Sequence, residues 1–205
     1  MSISSESRQQ GYALYEVLIA LTILGLVAIG IFLAFKAGTT TWTTSQQFVA
    51  EQQNGRVLVN TIGRGVRMIG YQYTGGNAAV INGAASDLSF YSDMDGDGTM
   101  DCYRYYLSAG VVYQAVVQGA NCASSILSAA GQPITASLES KGFTVKSLTF
   151  TYYDADTQGG ALLTAPLSAT NLFLVRRIDV AATVQGTTST TPFTIETQAV
   201  VRAGR

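Results

Sequence analysis

The sequence predicts an α+β protein: a long N-terminal α-helix, membrane-spanning in its first half, packed by its second half on an antiparallel β-sheet. Three observations carry this. Residues 17–35 form an uncharged apolar run in which Thr22 is the only clearly polar side chain. Downstream, Leu58, Ile62, Val66 and Ile69 recur at helical spacing and fall on one face. Beyond residue 88 the apolar residues come in short β-branched and aromatic runs, punctuated by Gly, Asn and Asp.

The apolar run comes first in the chain. At 1.5 Å per residue its helix spans about 28 Å, close to the hydrocarbon thickness of a bilayer. Composition agrees with one such segment on a polar but weakly charged domain. The 205 residues are 47% hydrophobic and only 12% charged, and the remainder is rich in Thr, Ser, Gly and Gln, as suits an exported β-rich domain. Past Lys36 the pattern turns amphipathic through Trp42, Phe48 and Val49, and Gly70 ahead of Tyr-Gln-Tyr-Thr-Gly-Gly supplies a stop. A helix from about residue 13 to residue 69 would be roughly 85 Å long. Its first half has no partner within a monomer and needs lipid or other copies around it. Gly25 and Gly30 cost that half about 1 kcal/mol each relative to Ala. They permit local melting or close packing, or simply reflect the frequency of small residues in membrane helices.

Strands are expected over 88–91, 102–107, 111–117, 143–153, 172–184 and 193–201. Period-two alternation is clearest from Val145 to Tyr152. Residues 119–142 are poor in aromatics and read as a loop with some short helix. The organisation is then a short polar segment, 1–11, an apolar membrane-spanning helix, 12–35, its amphipathic continuation, 36–70, and an exported globular domain, 71–205.

Several function classes are disfavoured. Net charge is −1 with no basic block, which argues against bulk nucleic-acid binding. The chain has no histidine, the commonest general base and metal ligand. With no G-x-S-x-G elbow and no phosphate loop, an enzyme is not expected.

The N-terminus carries the most specific signal. A secretory signal peptide would be cut after its apolar segment, and Ala28, Gly30 and Ala34 are small enough for that. The order of features points elsewhere: a Gly stands before the apolar run and an acid, Glu16, just ahead of it. The segment Gly11-Tyr12-Ala13-Leu14-Tyr15-Glu16-Val17-Leu18-Ile19-Ala20-Leu21 resembles the cleavage and N-methylation motif of type IV pilins and type II secretion pseudopilins. The resemblance implies a cut between Gly11 and Tyr12 by a prepilin peptidase and methylation of the new Tyr12 amine. Glu16 becomes the fifth residue of the mature chain. Tyr12 and Tyr15 stand where Phe and an aliphatic residue are more usual, and Glu6 offsets Arg8 in the leader. Residues 51–57 and 64–71 also resemble the PilW-type minor pilins and J-type pseudopilins.

A carboxylate at the edge of a hydrocarbon layer is costly unless paired or neutralised. The partner expected for Glu16 is the Tyr12 amine of a neighbouring subunit, a pairing that would set the axial stagger. Alternatively Glu16 is solvated among headgroups.

Two features of the exported domain complete the reading. Cys102 and Cys122 lie in a disulfide-permissive compartment, and closing their loop would contribute roughly 3 kcal/mol; the alternative is two buried thiols. The stretch Asp93-Met94-Asp95-Gly96-Asp97-Gly98-Thr99-Met100-Asp101 resembles the first half of an EF-hand calcium loop. Asp93, Asp95 and Asp97, the Thr99 carbonyl and Asp101 are the candidate calcium ligands, and Gly98 permits the turn they need. Position twelve is Arg104 instead of a bidentate Glu, so this is an EF-like turn, or else an ordinary Asp/Gly β-turn.

The resemblance implies a structural role as a minor pilin of a type IV pilus, active in filament initiation or assembly. The alternative is a pseudopilin of a type II secretion system, then a tip adhesin or a DNA-binding competence pilin using Arg64, Arg67, Arg176, Arg177 and Arg202. The implied partners are other pilins of the filament, the prepilin peptidase and an inner-membrane assembly platform. Its implied location is the inner membrane, C-terminal domain outside the cytoplasm, and then a periplasmic or extracellular filament.

Overall fold

A 62-residue helix, α1 (Glu6–Arg67), begins the structure. The computed structural model describes residues 6–119, 121–134, 143–157, 159–186 and 191–201. The helix starts earlier than expected and runs through Gly11 and Tyr12; leader residues 1–5 lie outside the described part. Glu6, Arg8, Gln9 and Gln10 are good helix formers in its first turns, and Leu, Ile and Ala follow in the apolar run. Its threonines are accommodated by bonding back along the helix: Thr22 Oγ1 donates to the Ile19 carbonyl at 2.7 Å, and Thr40 Oγ1 to that of Lys36 at 2.8 Å. Such bonds satisfy a hydroxyl where water is absent.

By its contacts the chain divides at Gln46/Gln47, and each unit stands by itself. The first consists of α1 up to Gln46. From Leu14 to Val49 every side chain on α1 is exposed.

The second unit, from Gln47, has its own core. On the last turns of α1, Leu58, Ile62 and Val66 are buried, as the helical spacing predicts, and Val59 is buried beside them. The helix stops at Arg67. The Met68 and Ile69 amides close back on Gly65 and Val66, Gly70 takes φ 72°, and Arg64 and Arg67 sit where the helix dipole favours cations.

Two antiparallel sheets follow, where one was expected. The first has the order β1 (Val80–Gly83), β2 (Asp87–Ser92), β3 (Asp101–Ser108), β4 (Val111–Val117), β5 (Gln132–Pro133). The second has the order β7 (Leu162–Leu163), β6 (Phe143–Tyr153), β8 (Arg177–Gly186), β9 (Phe193–Val200). They meet around β6: the Val145 amide donates to the Gly110 carbonyl at 3.0 Å, the Phe150 amide to Ala85 at 2.7 Å, and the Tyr152 hydroxyl to Ala84 at 2.7 Å. Phe90 and Tyr105 of the first sheet and Phe150, Ile178, Val180 and Val184 of the second share one core with α1.

Three glycines bring the helix this close. A Cβ on Gly55 would press on Ile195, one on Gly63 on Thr197, and one on Gly65 on Tyr105. The close approach, and no special backbone angle, explains these residues.

The strand expected over 172–184 is corrected. Residues Ala169–Leu172 form a short helix, α2, capped by the Ser168 hydroxyl, and the strand begins only at Arg177. The expected loop over 119–142 holds two single 3-10 turns, Cys122–Ser124 and Ile126–Ser128, and also the short strand β5, which pairs with β4 and was not expected; residues 135–142 of the loop lie outside the described part.

Candidate functional site

Two regions carry the candidate functional residues. The first is the opening half of α1. Leu14 is 71% and Phe35 70% exposed, and between them large aliphatic side chains face outward on all sides. By length and composition this is a helix able to cross a membrane. Glu16 lies two residues past Leu14, where the described side chains begin; it is exposed, and no described residue forms an ion pair with it. The side chain of Tyr12 lies outside the described part. Lys36, at the far end of the apolar run, was not singled out as a functional residue by the sequence reading. Its signal is plain in retrospect, because Glu16 and Lys36 are the only charged residues between Leu14 and Ala50.

The second region is the β2–β3 turn. Ligand oxygens of Asp93, Asp95 and Asp97 lie within 4.8 Å of one another, Asp93 buried and the other two exposed. Backbone amides organise them. Asp93 Oδ1 accepts from the Gly96 amide at 2.7 Å and Oδ2 from the Gly98 amide at 3.0 Å, while Asp97 Oδ1 accepts from Thr99 at 2.6 Å. Gly96 and Gly98 both have positive φ, at 76° and 82°, which a side chain would resist. Each carboxylate oxygen has two lone pairs, so amide bonds do not exhaust Asp93 as a ligand. The three convergent oxygens still fall short of the six to eight calcium takes.

Asp101 is not part of that convergent set. It is buried at the start of β3, where its Oδ1 accepts from the Gly119 amide at 3.4 Å. Burial pushes its carboxyl above the usual range, the Gly119 amide opposes this, and Asp95, Asp97 and Asp93 add to it. Burial first, then Asp101 with Asp95 and Asp93, pushes the neighbouring Tyr103 phenol up to about 12.

Arg104 has a structural job. Its Nη2 meets Asp87 Oδ2 at 2.7 Å and its Nε meets Oδ1 at 3.0 Å. The guanidinium lies 4.4 Å over the Tyr106 ring and donates to the Leu127 carbonyl. Its own position and chemistry thus belong to the β2–β3 pair and to the turn beneath it. That turn is tied down further by the Cys102–Cys122 disulfide, which the structure forms. Cys102, Cys122, Ala115 and Ile126 make a small second core.

The arginines considered for DNA do not act alike. Arg177 is buried, pairs with Asp179 at 3.1 Å, lies 3.9 Å over Tyr153 and donates to Thr157. Arg64, Arg67 and Arg176 are exposed, and Arg202 lies outside the described residues.

No family model and no curated protein matches the chain. Among solved structures it is similar to a type IV-like pilin from Thermus thermophilus, at 12% identity over 73% of this chain and 95% of that one, with a TM-score of 0.47. At that level the likeness decides nothing about function, which rests on this chain's own residues.

Proposed function

We propose that the chain is a non-enzymatic filament subunit of the type IV pilin class: a minor pilin cut between Gly11 and Tyr12 and held in the inner membrane before assembly. The observation that carries this is the first half of α1, an apolar helix exposed on every side, which demands lipid or neighbouring helices. The second unit holds its own core, to which the last turns of α1 supply Leu58, Val59, Ile62 and Val66. The sequence around the proposed cut, with Gly11 before the apolar run and Glu16 at its edge, supports processing and an assembly role for Glu16.

The test is quantitative mass spectrometry of filaments sheared from intact cells and of the membranes left behind. A methylated peptide beginning at Tyr12, in trace amounts beside an abundant pilin, is the expected result. The same peptide confined to membranes points to a secretion pseudopilin, which has the same motif. An uncut chain in both fractions overturns the proposal.

We also propose calcium as a stiffening ligand of the β2–β3 turn, held by Asp93, Asp95 and Asp97 with carbonyls or water completing the shell. The convergence of three carboxylate oxygens supports it. Calorimetric titration of the domain with calcium should show binding that Asp95→Asn with Asp97→Asn removes; an unchanged, heatless titration of the parent protein would end this reading.

A further inference from the structure

Glu16 and Lys36 are the only charges along α1 between Leu14 and Ala50. Both side chains are exposed, and neither takes part in an ion pair among the described residues. Their helical separation places them about 30 Å apart along the axis and about 200° apart around it, so they stand on nearly opposite faces.

That geometry has a consequence for two copies lying side by side. If both helices sit at the same level, as they must when each spans the same bilayer, every Glu16 is at one hydrocarbon edge and every Lys36 at the other. The charges of neighbours then never meet. If one copy is moved along the axis by about 30 Å without rotation, its Glu16 comes level with Lys36 of the other. Because the two side chains occupy opposite faces, each then points at the other copy. The contact is head-to-tail in place of a closed dimer, and a single pair of copies at the start of a filament suffices for it, which agrees with a subunit present in trace amounts. Among apolar side chains an isolated carboxylate or ammonium is expensive, while a close pair offsets much of that cost. The two charges are therefore silent in the membrane and complementary after one axial step.

We propose that Lys36 is an assembly residue that receives Glu16 from a second copy of this chain displaced by about 30 Å along the helix axis. The Tyr12 amine and Lys36 would come from different neighbours, one offset by about 6 Å and the other by about 30 Å, and a carboxylate has two oxygens to share between them. This inference rests on the filament-subunit reading, and its test separates the two.

Cysteines placed one turn beyond each charge report the register while leaving both charges intact. Thr40 lies four residues past Lys36 and Ala20 four past Glu16, each on the face of its charge. In the proposed arrangement they are level and opposed. Cys102 and Cys122 are tied to each other, so they do not compete. Cells would make two differently tagged copies, one Ala20→Cys and one Thr40→Cys, and be treated with a short bismaleimide; sheared filaments and membranes are then blotted for both tags.

The expected product is the mixed dimer. Lys36→Glu in both copies should lower its yield about tenfold or more, as removal of one member of a desolvated pair does, and adding Glu16→Lys should restore it. Cross-linking between two Ala20→Cys copies alone would show level helices and overturn the inference, as would no dimer or no response to the charge swaps. The peptide beginning at Tyr12 is measured in the same samples. Present with no mixed dimer, it leaves the pilin reading standing and sinks only the Lys36 contact; an uncut chain sinks both.

Discussion

Replacing Gly65 by Ala is the sharpest test of how α1 is seated on its domain. In an ordinary helix interior, Gly→Ala stabilises by about 0.5–1 kcal/mol. Here the new methyl would overlap the Tyr105 hydroxyl and lie 2.9 Å from ring atoms Cε2 and Cζ. Tyr105 has little room to withdraw. It is 2% exposed, and its ring centroid is 6.0 Å from that of Phe90. Overpacking at such a site costs about 1–3 kcal/mol. Set against the propensity gain, the net loss is about 1–2 kcal/mol, or several degrees in Tm for a domain of this size.

Urea denaturation followed by far-UV circular dichroism, on a fragment beginning at Gln47, measures this directly, because that unit contains its own core. Tyr105→Phe removes the overlapped hydroxyl and leaves the ring, so Gly65→Ala should cost less in that background, a coupling visible in a double-mutant cycle. Gly76→Ala is the control, since nothing lies within 4 Å of its Cβ. A Gly65→Ala domain as stable as the parent, or one equally harmed with and without the Tyr105 hydroxyl, would refute this seating of the helix.

Other changes probe separate parts of the domain. Cys102→Ala with Cys122→Ala should cost about 3 kcal/mol in the same denaturation assay, because it frees a loop whose ends are 20 residues apart. Gly186→Ala should destabilise by about 2 kcal/mol, since its Cβ would occupy the place of the buried Glu51 carboxylate. Tyr152→Phe should cost about 1 kcal/mol by leaving the Ala84 carbonyl without its 2.7 Å donor. Burial raises the phenols of both Tyr105 and Tyr152. A raised folded value means that their contribution to stability is intact below the ordinary tyrosine range, about 10, and is lost as pH rises beyond it. In a spectrophotometric titration these two phenols should ionise together with unfolding, after the exposed tyrosines; early ionisation in the folded domain would contradict their burial.

What was legible in the sequence was what depends on local periodicity. The spacing of Leu58, Ile62, Val66 and Ile69 placed the helix face that is buried, and the run from Val145 to Tyr152 placed the long strand β6. The division into two sheets was not legible, because pairing is decided by contacts between distant residues. The bonds of Val145 to Gly110 and of Phe150 to Ala85 leave no periodic trace. The false start of β8 has a similar cause. Leu172, Phe173, Leu174 and Val175 read as an apolar strand, yet the Ser168 hydroxyl caps a turn of helix there, and Phe173 and Leu174 stay exposed. An apolar run alone does not distinguish the two conformations.

The acidic turn shows the same limit at the level of chemistry. Alternating Asp and Gly correctly implied a sharp turn, and the turn does draw Asp93, Asp95 and Asp97 together. Spacing could not reveal that Asp101, next in the alternation after Thr99, belongs to β3 and faces inward. A strand alternates its side chains between faces, so once β3 begins at Asp101 its carboxylate is placed by the sheet, not by the loop. Nor could spacing show that Gly96 and Gly98 lend their amides to Asp93. Those bonds supply part of the positive potential a cation would otherwise provide, so the turn can hold its shape before any ion arrives. Calcium bound as proposed would therefore add rigidity to a preformed hairpin, and the fold of the domain should not depend on it.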